Sequence, residues 1–555
     1  MDTAVADART AHDVVIIGSG LSGSMLGAIL ARNGVKVLLL DHKEHPKFAI
    51  GESTIPNTLV SLRTMAARYG VPELQTLSSF GGCQRIIGPW HGVKNHFGFL
   101  QHQEGKPQDP AQLTMYNFTK LIYPTAHFYR QDVDSYLFRT AVSYGCRARQ
   151  NVTVAEVDFD DAGVTVVAEG GEEFRARYMV DASGYRSPIA EKFGLRETPC
   201  RFQHHSRSIW NHVVDMPRTD DVFDRPAADR PPVPWYEGTV HHLFERGWWW
   251  VIPFDNDPSS RNPMCSVGLT LDPRRYPVDE TLTPEEEFWY HVRRFPDVAR
   301  QFEGMRPTRE WVRTGRLQYS STQTVGDRWV LLGHAAGFID PLYSRGMSNT
   351  CETVNLLAWR LLRAVADDDF SAARFKAVDR CQQALLDGND SLVNSSFISF
   401  EDYDLWSAVF RIWAWGSNAG TFRAHEAFRR WRDDGDERHL LELEDVENPG
   451  LHWSDHPGYS ELFDEMVEQC AAFEAGRITG TQAADVLYDR MAAAPFVPRH
   501  YGWDARGQRF INPTSKVLAK TMWWALREGT PEVRRLLFGF GIEAVKEFAK
   551  GRRIF

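Results

Sequence analysis

Little in this chain of 555 residues marks it for export, a membrane or a nucleic acid. Its seven cysteines (Cys83, Cys146, Cys200, Cys265, Cys351, Cys381, Cys470) are odd in number and never spaced C-x-x-C. That pattern excludes a disulfide framework and a zinc site, and points to reduced thiols in the cytoplasm. No apolar stretch reaches the ~20 residues that a bilayer demands, and the polar, acidic first dozen residues do not read as a secretory leader. There is no run of five Lys/Arg, and the formal net charge is −10. Without a basic excess to neutralise phosphates, a duplex partner is excluded. Internal repeats and low-complexity tracts are absent too. What remains, 43% hydrophobic and 25% charged, is an ordinary globular composition, in a chain long enough for two or three packed lobes.

From Asp13 the order is strand, glycine turn, helix, strand. Val14 to Ile17 is a buried-strand run, Gly18 to Gly23 the turn, Met25 to Asn33 helical, and Val35 to Leu40 a second strand ending at Asp41. Gly18-Ser-Gly20-Leu-Ser22-Gly23 lets the backbone approach a pyrophosphate at a helix N-terminus, and Asp41 is placed to accept from ribose hydroxyls. The only other candidate, Gly539-Phe-Gly541, has no strand before it. One such unit followed by a strand-rich lobe favours FAD over a nicotinamide. Three later segments agree: Arg130-Gln-Asp-Val-Asp134-Ser-Tyr-Leu137, Met179-Val-Asp181-Ala-Ser-Gly184, and Trp329-Val-Leu-Leu-Gly333 running on to Asp340-Pro341. Their order is that of FAD monooxygenases, although His334 stands where the last motif usually has an acid.

Residues 53–69 carry apolar positions at helical spacing, stopped by Gly70. Segments 150–180 and 236–270 alternate as strands of a mixed or antiparallel sheet, 216–234 reads as a surface loop, and from Cys351 onward the pattern is helical. The expected fold is therefore α/β, a Rossmann-type FAD-binding fold with a mixed/antiparallel sheet lobe and a C-terminal helical region. Residues 1–365 would form the core, with 12–190 and 310–365 binding nucleotide and 191–309 rich in sheet; 366–555 would cover the substrate.

Gly51-Glu52-Ser53-Thr-Ile-Pro56 and Trp248-Trp-Trp250-Val-Ile252-Pro253, in register with these motifs, resemble the flavin-dependent halogenases. The resemblance runs from about residue 12 to about 512 and is nearest to phloroglucinol-type phenol halogenases. It implies an enzyme that takes FADH2 from a separate flavin reductase and uses O2 to oxidise chloride or bromide to hypohalous acid. Glu52, Ser53, Arg130, Asp181, Gly333 and Asp340 would join Gly18, Gly20, Ser22, Gly23 and Asp41 around the cofactor. Trp248 and Trp250 would part flavin from substrate. Lys94, set among Val93, Phe97 and Phe99, would relay the halogen; burial would lower its pKa and open the neutral amine.

Tyr343 stands where tryptophan halogenases have a glutamate, and the loss of that carboxylate speaks against tryptophan as substrate; Tyr343 would line the substrate pocket. Ser417 would act opposite Lys94, or merely cap a helix. Leu121 would line the pocket, or belong to plain core. Phe400 and the neighbouring aromatics (Phe397, Tyr403, Trp406, Trp413, Trp415) would form a lid, or simply pack the helices. Halide would sit at the backbone of Arg345 and Gly346, where a helix begins near Met347; Arg345 could instead be a salt-bridge partner. A small phenol, no metal and a possible homodimer complete the expectation. An aromatic hydroxylase and a non-catalytic flavin carrier are the rivals.

Overall fold

The structure, a computed structural model, describes residues 12–551 except 120, 121, 123, 224, 227, 228, 447 and 451. Strand His12–Ile17 pairs in parallel with Val37–Leu40 on one side and Glu173–Asp181 on the other. All four residues Val14 to Ile17 are buried, as a strand covered on both faces requires. Helix Leu21–Arg32 crosses between the first two strands, and Arg147–Arg149 and Trp329–Leu331 extend the parallel sheet at its two sides. Strands Val154–Asp160 and Gly163–Ala168 add antiparallel to Glu173–Asp181. Segments 150–180 and 236–270, similar in their alternation, thus lie in different sheets.

The second large sheet runs Arg207–Val214, Cys265–Leu271, Gly247–Pro253, Thr239–Phe244, His96–Gln101 and Leu113–Asn117 at its centre. These six strands are antiparallel to their neighbours except Thr239–Phe244 beside His96–Gln101. Alternation along Gly247–Pro253 turns Trp248 and Trp250 to one face, in the cluster that contains Phe97 and Trp413, and Trp249 to the other. Helix Pro56–Tyr69 starts on Pro56, whose missing N–H costs nothing there, and ends on Gly70 at φ 68°. Among its described residues, the 216–234 stretch includes the short helix Thr219–Val222.

Helices Arg345–Asp367, Ala372–Ser399 and Tyr403–Asp434 follow. The last is capped by Asp402, whose carboxylate accepts from the Leu405 N–H, and it lays Trp406, Phe410 and Trp413 against the Trp248/Trp250 face of the second sheet. The chain then returns: Phe510–Ile511 adds a parallel strand beside Met115 and Tyr116. Helices Ser515–Arg527 and Pro531–Ala549 close the C-terminal end, with Phe540 packed on Phe422 at 4.4 Å between ring centroids. Gly539 and Gly541 are inside that last helix, so they form no nucleotide loop. Among the described residues no helix is long and apolar enough to cross a membrane, and no cluster of His, Cys, Asp and Glu could hold a metal.

Candidate active site

At the nucleotide end, Gly18 adopts φ +98°, and a Cβ there would sit 2.4 Å from the Ala182 carbonyl oxygen. Only glycine permits that turn. A Cβ at Gly20 would meet nothing nearer than the Asp134 carboxylate at 3.9 Å, and helix Leu21–Arg32 has neither a side-chain cap nor an acid in its first turn. Open space against unoccupied N–H groups suits a diphosphate, so the residues present fit a dinucleotide. Ser22 is half-buried in that first turn. Asp41, expected at the ribose, is itself occupied. Its carboxylate accepts from Ser19 N and Oγ at 2.6 and 2.8 Å and from Lys43 N at 2.9 Å, and it pairs with Lys47. Burial works to raise its pKa, but Lys47 and these donors bring the net shift downward.

The other motif acids are similarly committed. Asp181 accepts from Ser183 Oγ at 2.5 Å and Ser187 Oγ at 2.6 Å, and burial still raises its pKa. Asp340 accepts from Ser206 Oγ at 2.7 Å and lies 3.3 Å from His204 Nε2. Arg130 grips Asp134 through two bonds of 2.8 and 2.9 Å and holds the Ile50 carbonyl at 2.7 Å. That places the start of the Gly51–Pro56 loop. Glu52 meets His212 Nε2 at 3.0 Å, and Gly333 adopts φ +60° with its N–H on Gln382 Oε1 at 3.2 Å. His334 is exposed.

Lys94 ends the short strand Gly92–Lys94, which pairs with Thr125–His127. The Gly51–Pro56 loop docks on the same strand, through a Ser53–His127 bridge and the Phe128 N–H on the Glu52 carbonyl at 2.7 Å. Lys94 is fully buried. Its Nζ donates to Ser53 Oγ at 2.7 Å and Ser344 Oγ at 3.3 Å, and lies 3.6 Å from the Phe97 ring centroid. No carboxylate forms an ion pair with it among the described residues, and burial alone pushes its pKa well below the usual lysine range. Ser344 holds φ 55° at the start of helix Arg345–Asp367, a left-handed backbone that non-glycine residues avoid. Phe97 touches Trp413 and His241, His241 touches Trp248, and Trp248 touches Trp250, at centroid distances of 5.4, 5.8, 5.3 and 5.7 Å.

A buried amine among hydroxyls and indoles, on a dinucleotide fold, has recognisable relatives. The FAD binding domain family matches residues 11–369. The tetracycline 7-halogenase of Kitasatospora aureofaciens is 52% identical over 526 residues, 95% of both chains. The chain belongs to the flavin-dependent halogenases. Another relative of this halogenase, the monodechloroaminopyrrolnitrin halogenase PrnC of Pseudomonas fluorescens, is 44% identical, over 88% of this chain and 86% of its own. Among solved structures, halogenase PltM in complex with phloroglucinol and FAD superposes with a TM-score of 0.86 at 32% identity. That match covers 90% of this chain and 99% of PltM.

The halogenase places the remaining expected residues unevenly around Lys94. Tyr343 and Trp413 pack with ring centroids 4.3 Å apart and planes tilted by 35°, and the Tyr343 hydroxyl is bonded to Ser396 Oγ at 2.7 Å. Ser417 lies in the middle of helix Tyr403–Asp434, so it caps nothing, and it makes no hydrogen bond to Lys94. Leu121 lies outside the described residues. Phe400 borders a cleft of about 1210 Å³ lined by Gln101, Glu104, Tyr403 and Arg506, which Lys94 does not reach. Trp415 turns away toward Trp453 and Trp503. Arg345 is buried but makes no ion pair among the described residues; its Nη2 donates weakly to Gly450 O at 3.4 Å and its Nε has no partner. Gly346 is exposed.

Sequence reasoning missed Thr239, His127 and Ser344 altogether as site residues. It also assigned Ser53 to the cofactor, whereas its hydroxyl is occupied by Lys94 and Thr239, which leaves the backbone for that contact. No local pattern marks these residues, because the contacts join segments dozens to hundreds of positions apart.

Proposed function

We propose that this halogenase chlorinates or brominates an electron-rich phenolic ring of the resorcinol or phloroglucinol kind, with Lys94 handing the halogen to the ring. When bound, reduced FAD supplies, with oxygen, the oxidising power that turns halide into hypohalous acid. In this reading Gly18, Gly20, Ser22 and Gly23 receive the diphosphate, and Arg130 steadies the loop carrying Glu52 and Ser53. Backbone N–H groups of Arg345 and Gly346 hold the halide at the start of helix Arg345–Asp367. Trp248 and Trp250 keep the organic substrate from the flavin, so that oxygen is not delivered to it directly.

The observation that carries the proposal is the environment of Lys94: buried, without an ion pair among the described residues, and held there by two hydroxyls and an aromatic face. Such surroundings favour the neutral amine, a nucleophile toward electrophilic halogen. A mild halogen donor needs a ring already activated by hydroxyl groups. The aromatic partners Phe97, Tyr343 and Trp413 offer such a ring apolar faces and a neutral hydroxyl in place of a carboxylate.

Incubation with FAD, a flavin reductase, NADH, oxygen, halide and a panel of phenols, indoles and pyrroles tests this. Halogen-for-hydrogen exchange on the phenols supports the reading. Exchange confined to indoles or pyrroles rejects the substrate class, and incorporation of oxygen instead of halogen rejects the mechanism.

A further inference from the structure

Three side chains from three separate segments form one continuous hydrogen-bonded line behind Lys94. Lys94 Nζ donates to Ser53 Oγ at 2.7 Å; Ser53 Oγ is 2.9 Å from Thr239 Oγ1; Thr239 Oγ1 is 3.0 Å from His127 Nε2; and His127 Nδ1 is 3.0 Å from the Pro253 carbonyl oxygen. Lys94, Ser53, Thr239 and His127 are all buried, and Pro253 is half-buried. The far end settles the direction of every bond. A carbonyl only accepts, so His127 Nδ1 carries the imidazole proton. Burial, the largest influence on this ring, drives its pKa to about 3, so it is neutral and Nε2 has no proton. Thr239 must then donate to Nε2, Ser53 must donate to Thr239, and Ser53 has no proton left for Lys94.

We propose that His127 and Thr239 are positioning residues that hold Ser53 as an obligate acceptor toward Lys94, which keeps the lone pair of the neutral amine open toward the substrate. A serine free to turn would instead donate into that lone pair and quench it. The inference rests on Lys94 being the halogen relay. There the amine nitrogen bonds the halogen of hypohalous acid, the oxygen–halogen bond breaks, and the amine proton leaves with the hydroxide as water. Pro253, the last residue of the tryptophan motif, thereby connects that motif to the lysine through hydrogen bonds as well as through packing.

The other titratable groups facing Lys94 leave this direction unopposed. His96 and His241 are fully buried beside it, and burial lowers them to about 4 and about 3, so both are neutral near pH 7. Among the described residues, the amine's other hydrogen-bond partner, Ser344 Oγ, is more distant at 3.3 Å.

Thr239→Val keeps the shape and deletes the hydroxyl; Thr239→Ser restores it. The full-length protein is assayed for halogenated phenol, for oxidant escaping to a thioether trap, and for FAD affinity, across neutral to alkaline pH. The valine variant is expected to bind FAD as the wild type does and to lose product by about 5–10-fold, the worth of one buried hydrogen bond. It should also leak more oxidant and shift its pH profile to lower pH, because a hydroxyl donating into the lone pair favours the neutral amine, and the serine variant should recover all three properties. Should valine prevent folding, Thr239→Cys, a weaker donor of similar size, should fall between serine and no activity. Wild-type product yield and pH profile in the valine variant, or in the cysteine variant where valine does not fold, would overturn the inference. Lys94→Ala runs in parallel: halogenation that survives it removes the relay reading itself, whereas its loss together with a fully active Thr239→Val removes only the role given to Thr239 and His127.

Discussion

Replacing Lys94 by methionine should make the protein more stable while abolishing halogenation. The side chain has 0% exposure and no carboxylate partner. Exchange of buried charged groups for well-packed apolar ones is commonly neutral or stabilising by about 1–4 kcal/mol. Methionine matches the length of the lysine stem, so the chamber neither empties nor overfills. Against the gain stand Ser53 and Ser344, each losing a donor, at about 0.5–1.5 kcal/mol apiece. The net spans roughly −2 to +3 kcal/mol with its centre on the stabilising side, so the melting temperature is expected to hold or rise.

The pH dependence has a definite sign. An amine whose folded pKa is depressed binds its proton more readily in the unfolded chain, so wild-type stability rises with pH from the folded pKa up to about 10.4. The advantage of the methionine variant is therefore greatest at low pH and closes as pH climbs through that window. Scanning calorimetry over a pH series, with product analysis on the same samples, measures both effects. A variant destabilised by more than about 2 kcal/mol would show that Lys94 supports the fold, and would refute the claim that the site holds a lysine at the expense of stability.

Three further outcomes follow from the same geometry. Arg130→Met leaves the Asp134 carboxylate buried without its partner and frees the Ile50 carbonyl; a loss of about 3–5 kcal/mol and weaker FAD binding in a fluorescence titration are expected. Gly416→Ala puts a methyl 2.0 Å from the Tyr459 hydroxyl, and overpacking of about 1–3 kcal/mol should lower the melting temperature. Trp249 faces away from Lys94 while Trp250 faces toward the Phe97 cluster, so Trp249→Leu should lower stability with product per oxidised halide unchanged. Trp250→Leu should lower that coupling, read as trapped oxidant against product.

How far the site was legible depended on the range of the interactions. The glycine turn, the strand before it and the helix after it are neighbours in the chain, and backbone sterics alone make glycine necessary at Gly18. Lys94 stood out because an amine among Val93, Phe97 and Phe99 contradicts ordinary surface chemistry. The motif acids show the limit of such reading. Asp41, Asp181 and Asp340 occur where a cofactor contact was expected, yet each carboxylate is occupied by serine, lysine or histidine partners inside the protein. Ser417 was read either as a catalytic group or as a cap, and the helix continues unbroken through it.

The sequence by itself determined the dinucleotide fold, the halogenase signature and the lysine, because short-range geometry and side-chain chemistry leave few alternatives for those patterns. Only the tertiary structure decided what surrounds the lysine. Ser53 and Ser344 reach it from distant places in the chain, Thr239 and His127 stand behind Ser53, and the direction of the Ser53–Thr239–His127 bonds follows from the Pro253 carbonyl and the neutral imidazole. A hydroxyl carries no mark in the sequence to say whether it will donate or accept; that is settled by the neighbours folding brings to it.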